Sequence, residues 1–484
     1  MKYTLPFLVF GLILFSSCSK SAQDKTSKDY LSAYLNGNDQ AIVFGKVDLD
    51  KILEKADYKS IPKVNVLLNE ELVKYRNALD LEQGIHFALE GPFDDRGELA
   101  QGMAIAKVKN ADSLASKITS LGLLMEESGD MRYTQDNEMM IGIKDHLALF
   151  VVKKGTHDVK SSLEAAFTKC EGDPAGGKIE QALDQTGDIT FGINLESSYR
   201  NTPQITEMLD DSKKKELEAL VTDSYIMMAI QFGTGEAVIT SKNLFSDALA
   251  NRMFLEEDPQ QKVISKLGLG KAWAGISVNM DSKKMENFVK DFSPEMQREI
   301  EKMSSQLTLF SFTPNKNQLA SLWNGKLGLA MVGEMVQGGG MVPELNFSLG
   351  LGSEGSKIAK KLASTVNKNI DGKIEFNGIQ FTLKDKEVSG TTIKDNSGKS
   401  KLKIPGFAND FGKKGLSGFV NFSGLDVKSL DLDDEAKAIN ALKSLYFEVD
   451  NKGSKLVLKA KKSSTNILKQ IVNVYMSDVE ARVN

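Results

Sequence analysis

Residues 41–53, AIVFGKVDLDKIL, alternate apolar and polar side chains and then pass into helical spacing; residues 273–289, WAGISVNMDSKKMENFV, do the same. An alternation of period two places one face of a strand on a core, whereas apolar residues three or four apart place one face of a helix there. In both segments the period changes at an aspartate. Asp48 or Asp50, and Asp281, are therefore expected as helix N-caps, accepting backbone N–H groups that the first helical turn leaves without partners.

The parallel between the two stretches continues along the chain. GIHFALEG at 84–91 matches GKLGLAMVG at 325–333, both strands bounded by glycine. Downstream, MAIAKVKNADSLASKITSLG at 103–122 resembles LNFSLGLGSEGSKIAKKLASTVN at 345–367. Each reads as a strand followed by a helix, with Leu114, Ala115 and Ile118 on one helix face and Ile358, Leu362 and Val366 on the other. MRYTQDNEMMIGIKDHLALFVV at 131–152 and IEFNGIQFTLKDKEVSGTTI at 374–393 then read as meanders around Asn, Asp and Gly turns.

A further pair of units completes each copy. ITFGINLESSY at 189–199 corresponds to SGFVNFSGLDVKSL at 417–430, a strand entering a helix. The helix that follows is expected to bury Ile205, Met208, Leu209, Leu217, Leu220 and Val221 in the first copy, and Ala436, Ile439 and Leu442 in the second. YIMMAIQFGTGEAVIT at 225–240 and LYFEVDNKGSKLVLKA at 445–460 read as hairpins turning at Gly235 and Gly453. A closing helix is expected over about 244–254 and again over 465–475, the latter burying Ile467, Leu468, Ile471, Val472 and Tyr475.

This pattern implies an α+β protein of two tandem, internally duplicated halves, each mainly antiparallel sheet with covering helices. The expected halves are 39–267 and 268–484. Ahead of them, residues 1–17 read as a signal peptide and 18–38 as a flexible leash rich in Ser, Lys, Gln and Thr.

The leader carries the most specific chemistry in the chain. After Lys2 comes an apolar run from Leu5 to Phe15, then Ser16, Ser17 and Cys18. Small residues before a cysteine that polar residues follow at once are the arrangement of a bacterial lipoprotein signal, although Phe15 stands where such signals carry Leu, Val or Ile. Cys18 is thus the expected lipid-attachment residue, becoming the first residue of the mature chain and holding it to the membrane by acyl chains. The run is too short to span a bilayer. No Asp follows Cys18, and no acid-rich tract, so the expected location is the outer membrane facing the periplasm, with the cell surface as the alternative.

Composition narrows the partners. The 484 residues are 41% hydrophobic and 26% charged, as in globular proteins, and a formal net charge of −4 supplies no field for nucleic acid. With Cys18 lipidated, Cys170 is the one remaining cysteine and no disulfide can form within the chain. Adjacent to Glu171, Cys170 reads as structural rather than nucleophilic.

Signatures of catalysis are missing from the sequence. His86, His146 and His157 share no metal-binding spacing, and neither a Gly-x-Ser-x-Gly elbow nor a phosphate-binding glycine loop occurs. Ser60 with Lys63 and Ser212 with Lys215 fit Ser-x-x-Lys by chance, without companion motifs. Asp431, Asp433, Asp434 and Glu435 lack EF-hand spacing and read as the acidic first turn of a helix, while Lys213 to Lys215 reads as a solvated helix face. No catalytic residue, metal ligand or cofactor is expected. The methionines Met139, Met140, Met227 and Met228, and Met331, Met335 and Met341 around the Gly338 to Gly340 loop, suit core filling; an adaptable apolar groove is the alternative.

In SCSK at 17–20, the polar spacer, AIVFGKVDLDKILEKA at 41–56 and LGLLMEESGDMRYTQDNEMMIGIKDHLALFVV at 121–152, the chain resembles the Bacteroidota lipoproteins that carry the domain of unknown function 4836. The resemblance extends over nearly the whole chain. It departs at Gly37, Asn38, Asp39 and Gln40, where the family often has Pro-x-Asp-Ala. What it implies is an envelope location and this architecture, with no reaction and no site residues.

Taken together, these features lead to an envelope-anchored, non-enzymatic module that binds a protein or a small ligand, attached to the membrane through Cys18. The alternatives are a carrier for an apolar molecule and a carboxylate-dependent hydrolase, since 65 acidic residues leave room for a facing pair.

Overall fold

The computed structural model describes residues 25–60, 75–93, 99–134, 139–153, 159–202, 210–256, 264, 267–292, 319–332, 344–365, 374–376, 379–384, 386–392, 401–423 and 441–473. Cys18, the signal segment, His157, Met335, Met341, the Gly338 to Gly340 loop and the acidic cluster at 431–435 lie outside these residues. So do Lys63, Ile205, Met208, Leu209, Val366, Ala436, Ile439 and Tyr475.

An α+β fold is observed, built, among the described residues, on one antiparallel sheet of nineteen strands. The first ten strands are β1 Ala41–Val47, β2 Ile85–Phe93, β3 Leu99–Lys107, β4 Met125–Ser128, β5 Met131–Thr134, β6 Met139–Lys144, β7 Leu147–Lys153, β8 Ile189–Asn194, β9 Tyr225–Phe232 and β10 Glu236–Leu244. The remainder are β11 Ala272–Asn279, β12 Trp323–Val332, β13 Glu344–Leu351, β14 Ile374–Phe376, β15 Ile379–Lys384, β16 Glu387–Thr391, β17 Leu416–Asn421, β18 Leu442–Asp450 and β19 Gly453–Ala460. Helices α1 Ser27–Leu35, α2 Leu49–Ala56, α3 Ala111–Ser120, α4 Val159–Glu171, α5 Gly177–Leu183, α6 Leu195–Arg200, α7 Asp211–Val221 and α8 Asp247–Arg252 accompany the first ten strands. Helices α9 Ser282–Phe292, α10 Leu319–Leu322 and α11 Ser353–Thr365 accompany the others.

Pairings give the spatial order β4-β5-β6-β7-β3-β2-β1-β8-β9-β10 for residues 125–244 and their partners. From β19 the order continues β18-β17-β11-β12-β13-β16-β15-β14. The second series repeats the first strand for strand, apart from β4. Strands β10 and β19 pair with each other and close the gap between the series. Both β1 and β11 carry an irregularity after their first residue, between Ala41 and Val43 and between Ala272 and Ala274.

Helix caps follow the sequence. Asp48 accepts from Lys51 N at the start of α2, and Asp281 accepts from the backbone N–H groups of Lys283 and Lys284. Gly235 turns the β9–β10 hairpin at a φ of 73°, a conformation open to glycine, and Gly453 begins β19 after the second hairpin turn.

One expectation is corrected. The leash read over 18–38 ends earlier, because Ser27–Leu35 is a helix with a Thr26–Asp29 capping box. Leu31, Tyr34 and Leu35 are buried against β1, β2 and β3. A nine-residue helix depends on tertiary contacts for its stability, so local composition could not reveal it. Helices α4 and α5 were likewise not anticipated from the sequence pattern.

Sheet face explains where helices settle. On one face of the first series, Met103, Ile105, Met140, Leu149 and Val151 form an apolar bed for α4, which places Leu163, Phe167 and Cys170 on it. Following the registers, the same positions in the second series are Asn346, Ser348, Gln380, Ser389 and Thr391. That bed is polar and would give a helix like α4 little apolar surface to bury. Near the middle of this face the segment 401–411 instead covers Phe419 and Tyr446, through Leu402, Ile404, Phe407 and Phe411.

Candidate functional site: an apolar sheet face

The opposite face of the sheet has a different character. Alternation sends Val43, Val47, Ile85, Phe87, Leu89, Ile189, Phe191, Ile193, Ile226, Met228 and Ile230 to it in the first series. In the second series Ile276, Val278, Leu327, Leu329, Met331, Leu345, Phe347, Leu349, Leu416, Val420, Leu445, Phe447 and Val449 take this side. All are apolar, and all are half-buried except Ile276, which is 37% exposed.

Successive registers align these residues into a row that crosses the strands. It runs Ile85, Val47, Ile189, Ile230, Ile239, Leu456, Phe447, Gly418, Ile276, Leu329 and Phe347. No polar side chain interrupts it. Beyond Ile85 the face passes beneath α3, where Ala106, Ile141, Ile143 and Ala148 pack on Leu114 and Ile118. A small cavity lies there, lined by Ile85, Ala104, Leu114, Ile118 and Phe150 among others, all apolar. At the junction of the two series, Ala237 and Leu458 are covered by Ile467 and Ile471 of the helical turns at 467–473. Ile467 is buried there as expected, and Ile471 is half-buried.

Groups that carry chemistry are accounted for structurally. Glu90 on β2 is buried and accepts hydrogen bonds from Tyr34 Oη (2.5 Å), Asn38 Nδ2 (2.6 Å) and Gln101 Nε2 (2.9 Å). Burial and the adjacent Glu90 charge raise the Tyr34 hydroxyl far above the usual tyrosine range, so it remains the donor. Asp188 accepts from Lys55 Nζ at 2.7 and 2.8 Å and from Phe232 N at 2.6 Å. Asp48, besides capping α2, accepts from Lys51 Nζ at 2.5 Å. These buried carboxylates fasten α1 and α2 to the sheet.

His86 is buried on β2. Burial and the nearby Lys46 charge push its imidazole down to about 3, so it is neutral at ordinary pH. His146 is exposed in the β6–β7 turn. Cys170 lies fully buried on α4, and burial with the neighbouring Glu171 pushes its thiol up to about 12, in line with a structural role. Ser60 donates to Asp57 O, and Ser212 and Lys215 are exposed on α7. Among the described residues no group of three or more His, Cys, Asp or Glu is arranged to hold a metal ion. Met140 and Met227 fill the buried core, while Met228 and Met331 lie on the apolar face. The sequence signal for that face was the alternation itself; which side each strand presents became visible only through the registers.

No family model matches this chain, and no curated protein matches it. Among solved structures, it is similar to TP0453 in three crystal forms. Form I is 10% identical over 48% of this chain and 85% of that one, with a TM-score of 0.26. Form III is 11% identical over 47% and 82%, with a TM-score of 0.27, and form IV is 10% identical over 42% and 76%, with a TM-score of 0.26. Likeness at that level carries no functional argument. No helix among the described residues is long and apolar enough to cross a membrane.

Proposed function

We propose that this chain is a non-enzymatic envelope lipoprotein, anchored through acyl groups on Cys18 at the outer membrane, that binds an apolar ligand on the second face of its sheet. The observation that carries this reading is the uninterrupted row from Ile85 to Phe347, whose side chains are only half-buried, with Ile276 exposed. A polar ligand would gain nothing from such a surface, whereas hydrocarbon removed from water onto it gains roughly 25 cal/mol per Å² buried. The buried carboxylates Asp48, Glu90 and Asp188 are held by lysines, amides and a hydroxyl within the fold, which favours binding over hydrolysis.

The test is direct. The mature chain with Cys18→Ala is purified, titrated with an environment-sensitive apolar dye, and extracted with organic solvent for mass spectrometry. Dye binding and a co-extracted apolar compound are expected, both reduced several-fold by Ile276→Glu. A folded protein that binds no dye and yields no apolar compound overturns the reading.

A further inference from the structure

We infer that the ligand of the apolar face is an amphiphile with an anionic head, whose head meets lysines at one end of β11, β18 and β19 while its hydrocarbon runs along the strands. The inference rests on the apolar-ligand reading above and narrows it. It is carried by a difference between the two ends of the face in the second series.

At the end where β18 begins, alternation carries Lys443 to the same side as Leu445, Phe447 and Val449. The ladder with β17 reaches it, Phe422 N donating to Lys443 O at 2.9 Å. Lys461 and Lys462 follow β19 at this same end. Lys461 N donates to Ala441 O, and Gln470 Nε2 donates to Lys462 O at 2.8 Å, which ties the turn to the helical turns at 467–473. Lys271 stands where β11 begins. All four lysines are exposed, and none has an ion-pair partner among the described residues. Glu236 at this end is taken by Lys459 at 3.7 Å, and the β10–β19 register puts both on the other side of the sheet.

At the opposite end of the same strands the lysines are matched. Lys414 pairs with Asp450 at 2.6 Å, and Lys326 with Glu256 at 3.7 Å. Unmatched positive charge therefore borders the face at one end. The chain as a whole carries a net charge of −4 and would repel an anion, so any preference for one has to come from such a local excess.

Between the two ends the floor suits hydrocarbon. The ring of Phe447 lies over Gly418, where a Cβ would collide with Phe447 Cε1 and Cζ, so the surface is flat across β17 and β18. From Lys443 to Val449 the strand runs about 20 Å at ~3.3 Å per residue. One leaflet's acyl layer is about 15 Å deep, half of a ~30 Å hydrocarbon core, so an acyl chain fits along the floor with its head at Lys443. The helical turns that cover Ala237 and Leu458 bound the floor on one side.

The experiment titrates the mature Cys18→Ala chain with a pyrene-labelled fatty acid and with its uncharged methyl ester, at low and high salt. The acid is expected to bind about tenfold tighter than the ester at low salt, the sum of a few exposed ion pairs, and the preference should shrink as salt rises. The triple variant Lys443→Gln, Lys461→Gln and Lys462→Gln should lower the affinity for the acid to that of the ester. Affinity for the ester should stay unchanged, which also reports that the variant is folded. Pyrene-labelled phosphatidylglycerol separates the sources: binding as tight as the acid's assigns a phospholipid, and binding of the acid alone assigns a free fatty acid. Equal binding of acid and ester, or a preference that survives the triple variant, overturns the anionic head and leaves the apolar-ligand reading standing. Failure of every probe to bind overturns both.

Discussion

The ring of Phe44 on β1 covers the backbone of Gly192 on β8, its partner in register, so that a Cβ at Gly192 would lie 2.8 Å from Phe44 Cζ. In the second series the pair recurs with its members exchanged: Phe419 on β17 covers Gly275 on β11, and a Cβ at Gly275 would lie 2.8 Å from Phe419 Cε1. Each series of strands thus seats one phenylalanine against one glycine at the same crossing, from opposite strands.

Both glycines are expected to resist substitution for this steric reason. Phe44 and Phe419 are each about 1% exposed. Gly192→Ala and Gly275→Ala should each cost roughly 1–3 kcal/mol, as overpacking of a filled core does. Chemical denaturation measures this, and an unchanged midpoint for either variant contradicts it.

Tyr34 and Glu90 fasten the N-terminal helix to the sheet. Tyr34→Phe leaves the carboxylate with one donor fewer in a buried site, at a cost of about 1.5–3 kcal/mol for a hydrogen bond to a charged group. Much of that loss should appear as release of α1, seen as faster tryptic cutting at Lys25 and Lys28. Cutting no faster than in the wild type would place the anchorage of α1 elsewhere.

Acid should act through His86. Its folded-state value of about 3 lies below the ordinary 6.5, so the unfolded chain binds the proton first as pH falls. The stabilisation is fully present above about pH 6.5 and is lost progressively toward pH 3, by at most about 4–5 kcal/mol. Comparing wild type with His86→Gln between pH 7 and pH 4 isolates this contribution, because the carboxylates are common to both. The wild type should lose more stability over that interval, and parallel profiles would contradict the assignment.

Cys170 offers a probe of unfolding. Its burial and high thiol pKa predict negligible alkylation by a maleimide at neutral pH in the native state and full reaction in denaturant. Prompt labelling of the native protein would show that α4 detaches readily from the sheet.

Much of the architecture can be read from the chain without coordinates, because it depends on neighbours in sequence. Alternation marked β1, β2, β8, β9 and their later counterparts; the change of period located α2 and α9; and Asp48 and Asp281 cap the helices where an acceptor is needed at the first turn. The α+β class follows from those local facts. The helix at Ser27–Leu35 did not emerge, since its stability comes from Phe44, Ala88 and Met103, residues that local pattern does not place beside it. Nor did α4 emerge, whose apolar residues are informative only once Met103, Leu149 and Val151 share a face beneath them. The apolar row and the seam between β10 and β19 are matters of register between distant strands. A shift of one residue would turn Ile239 to the other face while leaving every local preference intact. Periodicity therefore specifies which segments are strands and helices, whereas the faces they share, and the surface that results, depend on pairing energies summed over the folded chain.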